Sequence, residues 1–322
     1  MTKIIVELCQ NHNGDIKILD EMVSAAASSG AEIVKIQSLL SKELTDRDRF
    51  NHGLVDANGK IQVIKRPYKD EYERLKKLDL GDEEHHHFIN LCHKYKVIPM
   101  TTVFTRSRIG FLEQLNLKKI KVASFDCASF KMIEELAYSK FEEIIVSTGC
   151  TFDGEIKQTA DILKKSGKKF SFLHCVSIYP TPLEEAHLER MNFLREFTHN
   201  VGLSEHSNPE KHGLKISIAS LLYKPTYIER HFTILKQDQS KDGPVSLNPN
   251  QLKFLIDMTK KNINEVEDYI KKNIPEIQII RGQSHRELSS TELLNRDYYR
   301  GRFASLSKEK SWIYNWEDKP LN

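Results

Sequence analysis

Glycine is scarce in this chain, 14 residues in 322, and none of them builds the GxGxxG turn that opens a dinucleotide-binding sheet. Cysteine is scarcer. Cys9, Cys92, Cys127, Cys150 and Cys175 are odd in number and show no CxxC spacing, which excludes a disulfide scaffold and reads as reduced thiols beside strands in a cytoplasmic protein. No GxSxG turn is present. Ser147-Thr148-Gly149 only resembles one, and no ordered Ser-His-Asp set accompanies it, so hydrolase chemistry is disfavoured. No apolar run approaches the roughly 20 residues that cross a bilayer. Met1-Thr2-Lys3 leads straight into a strand pattern rather than a signal peptide. An excess of one charge is also lacking. The formal net charge of +3 argues against a dedicated nucleic-acid binder, while local positive fields remain free to attract an anionic substrate.

What is present is a repeated pattern of short, apolar, β-rich runs that end on polar residues. Residues 4–6 lead to Glu7, 33–37 end at Gln37, and 97–100 lead to Thr101 and Thr102. Residues 120–124 end at Ser124, 144–146 lead to Ser147, and 170–177 end at Ser177. Residues 201–203 lead to Ser204-Glu205-His206, and 227–231 end at His231. Helical spacing fills the gaps over 16–29, 82–96, 106–117, 130–139, 155–166, 185–197, 211–223 and 250–272. Regular alternation of strand and helix means a parallel sheet, and eight repeats favour closure. The expectation is a TIM (β/α)8 barrel over residues 1–276 with a short C-terminal extension, 277–322, that packs on the barrel or contacts a second subunit. In such a barrel, functional groups gather at the carboxyl ends of the strands.

Two segments depart from the repeat. Residues 41–80 are long, charged and poor in apolar side chains, and they follow the second strand, which places them over the expected site. The tail holds Arg296, Tyr298, Tyr299, Arg300, Arg302 and both tryptophans, Trp312 and Trp316. The triplet His85-His86-His87 opens a helix, where neighbouring side chains diverge, so it reads as surface rather than as a metal site.

His206 and His231 end neighbouring strands. They are either two hydrogen-bonded rim histidines or ligands of a shared divalent metal with open positions, and Glu7, Glu205 and Asp242 could complete or orient that shell. Lys35 and Lys121 lie inside strand runs, where a lysine is costly unless it faces a charge. With the hydroxyls of Thr102, Ser124, Ser147, Ser177 and Ser204, they suit a buried phosphate and carboxylate. Any single serine can simply end a strand; the set carries the argument.

Five stretches resemble the sialic acid synthase family, which includes N-acetylneuraminate, legionaminate and pseudaminate synthases. Glu7-Leu8-Cys9-Gln10-Asn11-His12-Asn13-Gly14 is similar to the family's E-x-x-x-N-H-x-G. Gly30-Ala31-Glu32-Ile33-Val34-Lys35-Ile36-Gln37 is similar to GA-x-x-VK-x-Q. His174 to Pro182 resembles HC-x-x-x-YPTP, Val201 to Ser207 resembles G-x-SDH-T, and Glu229-Arg230-His231-Phe232-Thr233 resembles E-[KR]-HFT. The resemblance runs from about residue 3 to about 265.

The resemblance implies a cytoplasmic, homodimeric transferase. It would condense phosphoenolpyruvate with an aldose, N-acetylmannosamine or a related amino sugar, and water, giving a 2-keto-3-deoxy nonulosonic acid and phosphate. It implies a divalent metal at His206 and His231, manganese before magnesium or cobalt, acting as a Lewis acid on the aldehyde. Lys35, Thr102, Lys121, Ser124, Ser147, Ser177 and Ser204 would hold phosphoenolpyruvate. Gln37, Asp126, Tyr179 and Asp242 would face the acceptor, and Glu7, with Asp242 and Lys121, would serve catalysis. Asp126 stands where the family usually has Glu, Ser177 where some members have Asn, and Glu205 where Asp is usual. Many members continue into an antifreeze-like domain that lends an arginine to the partner's acceptor site. This chain ends before one, so the expectation is that Arg296, Arg300 or Arg302 replaces that arginine, or that a separately encoded domain supplies it. The same chemistry on another aldose and a non-catalytic sugar- or phosphoenolpyruvate-binding homologue are the alternatives. No nucleic-acid or membrane partner is expected.

Overall fold

A computed structural model describes residues 2–321. Eight parallel strands close a barrel: β1 Lys3–Glu7, β2 Ile33–Ser38, β3 Ile98–Val103, β4 Lys119–Val122, β5 Glu143–Ser147, β6 Lys169–Cys175, β7 Val201–Glu205 and β8 Tyr227–His231. Strands with one buried side toward the axis and one toward the helices read as nearly continuous apolar runs, which is the pattern the sequence carries. Alternation sorts the side chains. Ile5, Ile33, Met100, Ile145, Leu173 and Tyr227 pack together inside the barrel. Their neighbours Val6, Val34, Ile144, Val146 and Ile228 join the larger cluster beneath the helices. Below the inner apolar layer, Lys119 Nζ meets Glu143 at 2.6 Å, and Ser171 and Tyr227 also donate to that carboxylate. Above it lies a polar layer at the carboxyl ends.

Register builds that polar layer. Glu7 is aligned with His231 and with Lys35, Gln37 with Thr102, Thr102 with Lys121, and Ser204 with Cys175 and Glu229. In parallel strands, aligned residues share a face, so one level of the barrel collects the chemistry.

Most helices fall where the spacing predicts, as with Ile16–Ser28, whose start is capped by the Asp15 carboxylate on Lys17 N–H at 2.8 Å. Three differ. The single helix expected over 250–272 is two, Pro249–Thr259 and Ile263–Asn273, because Asn262 caps the second by accepting from Glu265 N–H at 3.0 Å. The stretch 211–223 breaks at Gly213, where φ is +61°. The helix expected over 185–197 is a short Arg190–Arg195 after a 3-10 turn.

The charged 41–80 segment forms short helices, Asp48–His52 and Tyr68–Lys76, with a hairpin between them. It meets the tail above the barrel. Thr45 N–H donates to the Arg302 carbonyl at 2.9 Å, Ala304 N–H to the Glu43 carbonyl at 2.8 Å, and Arg47 to the Tyr298 and Arg300 carbonyls. Phe50 packs edge-on to Tyr298, and Phe303 joins Leu39, Leu44 and Leu75. No helix among the described residues is long and apolar enough to cross a membrane.

Candidate active site

A cavity of about 360 Å³ opens at the carboxyl ends of the strands. Its wall includes Glu7, Lys35, Gln37, Thr102, Lys121, Ser124, Asp126, Ser147, Tyr179, Ser204, His206, His231 and Asp242. Ser177 stands apart from this set. It is fully buried behind the wall, with its hydroxyl 3.9 Å from Cys175 Sγ and its carbonyl taken by Asn295 at 2.8 Å. Gly149 explains the close approach here, since a Cβ at that position would run into the side chains of Ser177, Ser124 and Cys175. Its N–H instead donates to the Ser124 hydroxyl at 3.2 Å.

The floor is an alternating set of charges. Lys35 contacts the Glu7 carboxylate, donates to the Thr102 hydroxyl at 2.8 Å, and stands 3.6 Å from Glu229. Lys121 lies 3.4 Å from the other oxygen of Glu229, which also accepts from Ser204 at 2.9 Å. Burial favours the neutral forms. It pushes the Lys35 ammonium down to about 7, with Glu229 opposing the shift and Lys121 adding to it. Burial would also raise the Glu229 carboxyl, but Lys121 and Lys35 outweigh it and hold the group below the usual carboxylate range. Glu229 is a site residue that the sequence reading passed over. It lies two positions before His231 on the same strand face, and that spacing was the available signal.

Glu205 corrects another expectation. It does not join the histidines, because alternation turns it outward from Ser204. There it pairs with Arg230, accepts from Ser217 at 2.7 Å and receives Ser207 N–H. The buried Arg230–Glu205 pair ties adjacent strands to the helix layer.

On the far side of the floor, the His206 and His231 rings are 5.2 Å apart, and Tyr179 lies 4.2 Å from His206 between ring centres. Burial lowers both histidines. At His206 the neighbouring His231 adds to the shift, and at His231 the carboxylates of Asp242 and Glu229 oppose it. Neutral imidazoles keep a lone pair for a metal. Cys9, His231 and Asp242 each offer a donor atom, all within 4.8 Å of one another, and His231 Nδ1 is buried without a hydrogen-bond partner. Cys9, His231 and Asp242 fit a divalent cation, and His206, its ring centre 5.2 Å from that of His231, stands beside this group without being part of it. Burial and Asp242 push the Cys9 thiol up, and it donates to the Asp242 carboxylate at 2.8 Å.

The stretch from Glu7 to Gly14 holds this side in place. Asn11 donates to the Phe232 carbonyl and the Ser246 hydroxyl at 2.9 Å each and accepts from Ser240, so it anchors the loop that carries Asp242. Gly14, with φ at +79°, leaves room for the Lys77 carbonyl.

The loop and the tail form the rim. Arg66, Lys241, Tyr299, Arg302, Phe303 and Asn315 reach the wall. Asn315 donates to Asp126 at 2.9 Å. Burial pushes the Asp126 carboxyl up to about 6, with Ser129 and Asn315 pulling the other way. Of the three tail arginines considered above, Arg302 reaches the cavity. Arg296 and Arg300 pair with Glu155 instead. His85, His86 and His87 lie outside the site, but only the last two are at the surface as expected: His85 is buried against the Gly81 carbonyl, and His87 meets Asp20. All five cysteines are free and buried.

The NeuB family model matches residues 22–272. The chain is 31% identical over 278 residues to N,N'-diacetyllegionaminic acid synthase of Campylobacter jejuni, covering 84% of this chain and 79% of that protein. It is 27% identical over 262 residues to N-acetylneuraminate-9-phosphate synthase of Mus musculus, covering 79% and 68%. Among solved structures, the N-acetylneuraminic acid (sialic acid) synthetase of Leptospira borgpetersenii superposes with a TM-score of 0.70 at 25% identity, covering 92% of this chain and 90% of that one. The barrel, the strand-end site and these matches agree that the chain belongs to the NeuB family.

Proposed function

We propose that this protein condenses phosphoenolpyruvate with an amino-sugar aldose and water, giving a nonulosonic acid and phosphate. The observation that carries the reading is the polar layer of the barrel, where Lys35 and Lys121 with four hydroxyls face the same cavity as His206, His231 and Asp242. Phosphoenolpyruvate is an anion that passes through a cationic centre, and the floor holds charges of both signs to meet both states. Lys35, Lys121, Thr102, Ser124, Ser147 and Ser204 bind its phosphate and carboxylate. Gln37, Asp126 and Tyr179 orient the acceptor. A divalent cation, manganese in the first instance, held by His206 and His231 with Asp242, supplies Lewis-acid polarisation of the aldehyde oxygen when bound.

Carbon 3 of phosphoenolpyruvate attacks the aldehyde carbon, and carbon 2 becomes electron-poor beside the Glu7 and Glu229 carboxylates. Water adds at carbon 2, and Glu7 takes its proton. Lys35, in contact with Glu7, can relay that proton to the alkoxide that the aldehyde oxygen becomes. The tetrahedral adduct then loses phosphate to the lysines and hydroxyls, leaving the 2-keto group. The test is phosphate release from phosphoenolpyruvate with manganese across N-acetylmannosamine, diacetamido-trideoxyhexoses and plain aldoses. Release that requires both an amino-sugar acceptor and the metal supports the reading. Schiff-base trapping by borohydride, without phosphate loss, would replace it with an aldolase.

A further inference from the structure

Arg66, Lys241 and Arg302 line the cavity, and behind them Arg302 and Arg74 share the Glu71 carboxylate. Glu71 accepts from Arg74 Nε and Nη2 at 2.9 Å each and also pairs with Arg302. Arg66 and Arg302 each stand 5.4 Å from the centre of the Tyr299 ring, so two guanidinium groups flank one side chain. Arg66 also donates to the Tyr299 hydroxyl at 3.0 Å. Arg302 is only 7% exposed, and its Nε has no hydrogen-bond partner. Lys241 is an exposed residue of the same wall and forms no ion pair with a carboxylate among the described residues. The other nearby carboxylate, Asp242, is turned to Cys9 and His231.

Arg66, Arg74, Arg302 and Lys241 against Glu71 leave a surplus of three positive charges. Like charges held together cost free energy unless an anion joins them. If Arg66 and Arg302 only fastened the tail to the loop, Lys241 would still stand on the cavity wall beside them without a counter-charge of its own. The histidines and Asp242 set where the aldehyde end of an acceptor sits, and the cations lie at the cavity mouth, on the loop and the tail.

We propose that this rim binds an anionic group carried by the acceptor at the end remote from its aldehyde, and that the group is a phosphate monoester. A dianion with three acceptor oxygens matches the surplus and the guanidinium forks better than a single carboxylate does. The proposal rests on the synthase reading above and names its acceptor class.

The experiment compares kcat/KM for a neutral N-acyl aldose, its 6-phosphate and the matching uronate, using enzyme loaded with manganese and phosphoenolpyruvate. The expected order is 6-phosphate, then uronate, then neutral sugar, with at least about tenfold between first and last, the value of one charge-assisted contact. Arg66→Met and Lys241→Met are each expected to lower the ratio of phosphorylated to neutral kcat/KM about tenfold. A neutral acceptor equal to its phosphate, or a uronate ahead of both, overturns the proposal while leaving the synthase reading intact. Should no acceptor turn over, titration of glycerol 3-phosphate into enzyme saturated with phosphoenolpyruvate decides the matter. Binding that weakens about tenfold in Arg66→Met supports the rim, and absent or unaltered binding overturns it. Failure to bind phosphoenolpyruvate at all would instead remove the synthase reading.

Discussion

At the floor of the cavity two lysines face two carboxylates; at the rim Arg74 and Arg302 share Glu71, and Arg66 and Lys241 add two more positive charges on the wall. The two regions belong to one pocket but obey different rules. Lys35, Lys121, Glu7 and Glu229 are each no more than 4% exposed, and burying an unbalanced charge there would cost several kcal/mol per ion. Charge must therefore nearly cancel before substrate arrives. At the rim Glu71 and Arg302 are buried too, but Arg66 and Arg74 are half-buried and Lys241 is exposed, so water reaches those cations and screens the surplus until an anion arrives. A balanced floor suits a reaction whose charge changes sign along the way, and an unbalanced rim suits capture of a fixed charge.

Losing His231 should break the floor most severely. His231→Ala is expected to lower metal-dependent phosphate release by at least about 10³-fold with the fold retained by circular dichroism, since Lewis-acid stabilisation is worth several kcal/mol. Unchanged turnover would end the metal assignment. Next come the two counter-charges, which test the comparison directly. Glu229→Ala leaves two buried lysines without their shared partner and should cost about 3–5 kcal/mol of stability. Glu71→Ala should cost about 1–3 kcal/mol, because its partner Arg74 is half-buried and can turn to water when the equally buried carboxylate is lost. Denaturant midpoints in the opposite order would mean that the floor is better hydrated than its burial suggests. Lys121→Ala should raise the KM for phosphoenolpyruvate about tenfold or more while moving the acceptor KM less. The reverse split would place Lys121 on the acceptor side.

The smallest expected effect concerns pH. The Asp126 carboxyl is pushed up from 3.8 to about 6 in the folded protein. Between those values the unfolded chain has lost the proton that the folded chain keeps, so this group makes stability fall as pH rises through the window, and the penalty is complete above it. Asp126→Asn removes the penalty. Its stability relative to the parent should therefore improve from pH 4 to pH 7, and a flat difference across that range would refute the burial of this group.

The barrel was legible because its determinants are local and repeated. Runs of β-branched residues ending on polar ones mark strands with a chemical end, and the spacing between them marks helices. The strand-end residues that line the cavity were legible as candidates for the same reason, because register in a closed barrel brings those ends to one level; Ser177, behind the wall, was not among them. Glu229 was missed and Glu205 misplaced through one oversight: alternation sends residues 204, 229 and 231 inward and 205 and 230 outward, and a motif read as a string hides that. The break at Asn262 escaped because its capping bond competes with a helical pattern that continues through it.

Sequence by itself determined the strand-helix order, most of the inward polar residues and the family, because each depends on neighbours along the chain. Only the tertiary structure decided which distant residues meet. Residues 66, 71, 241 and 302 lie on the 41–80 loop, the loop after β8 and the tail, and no periodicity links them. Their convergence at the mouth depends on how the loop and tail pack over the barrel, through Phe50 on Tyr298 and Phe303 on Leu75, so the floor, Glu229 apart, could be read from the sequence and the rim had to be seen in the structure.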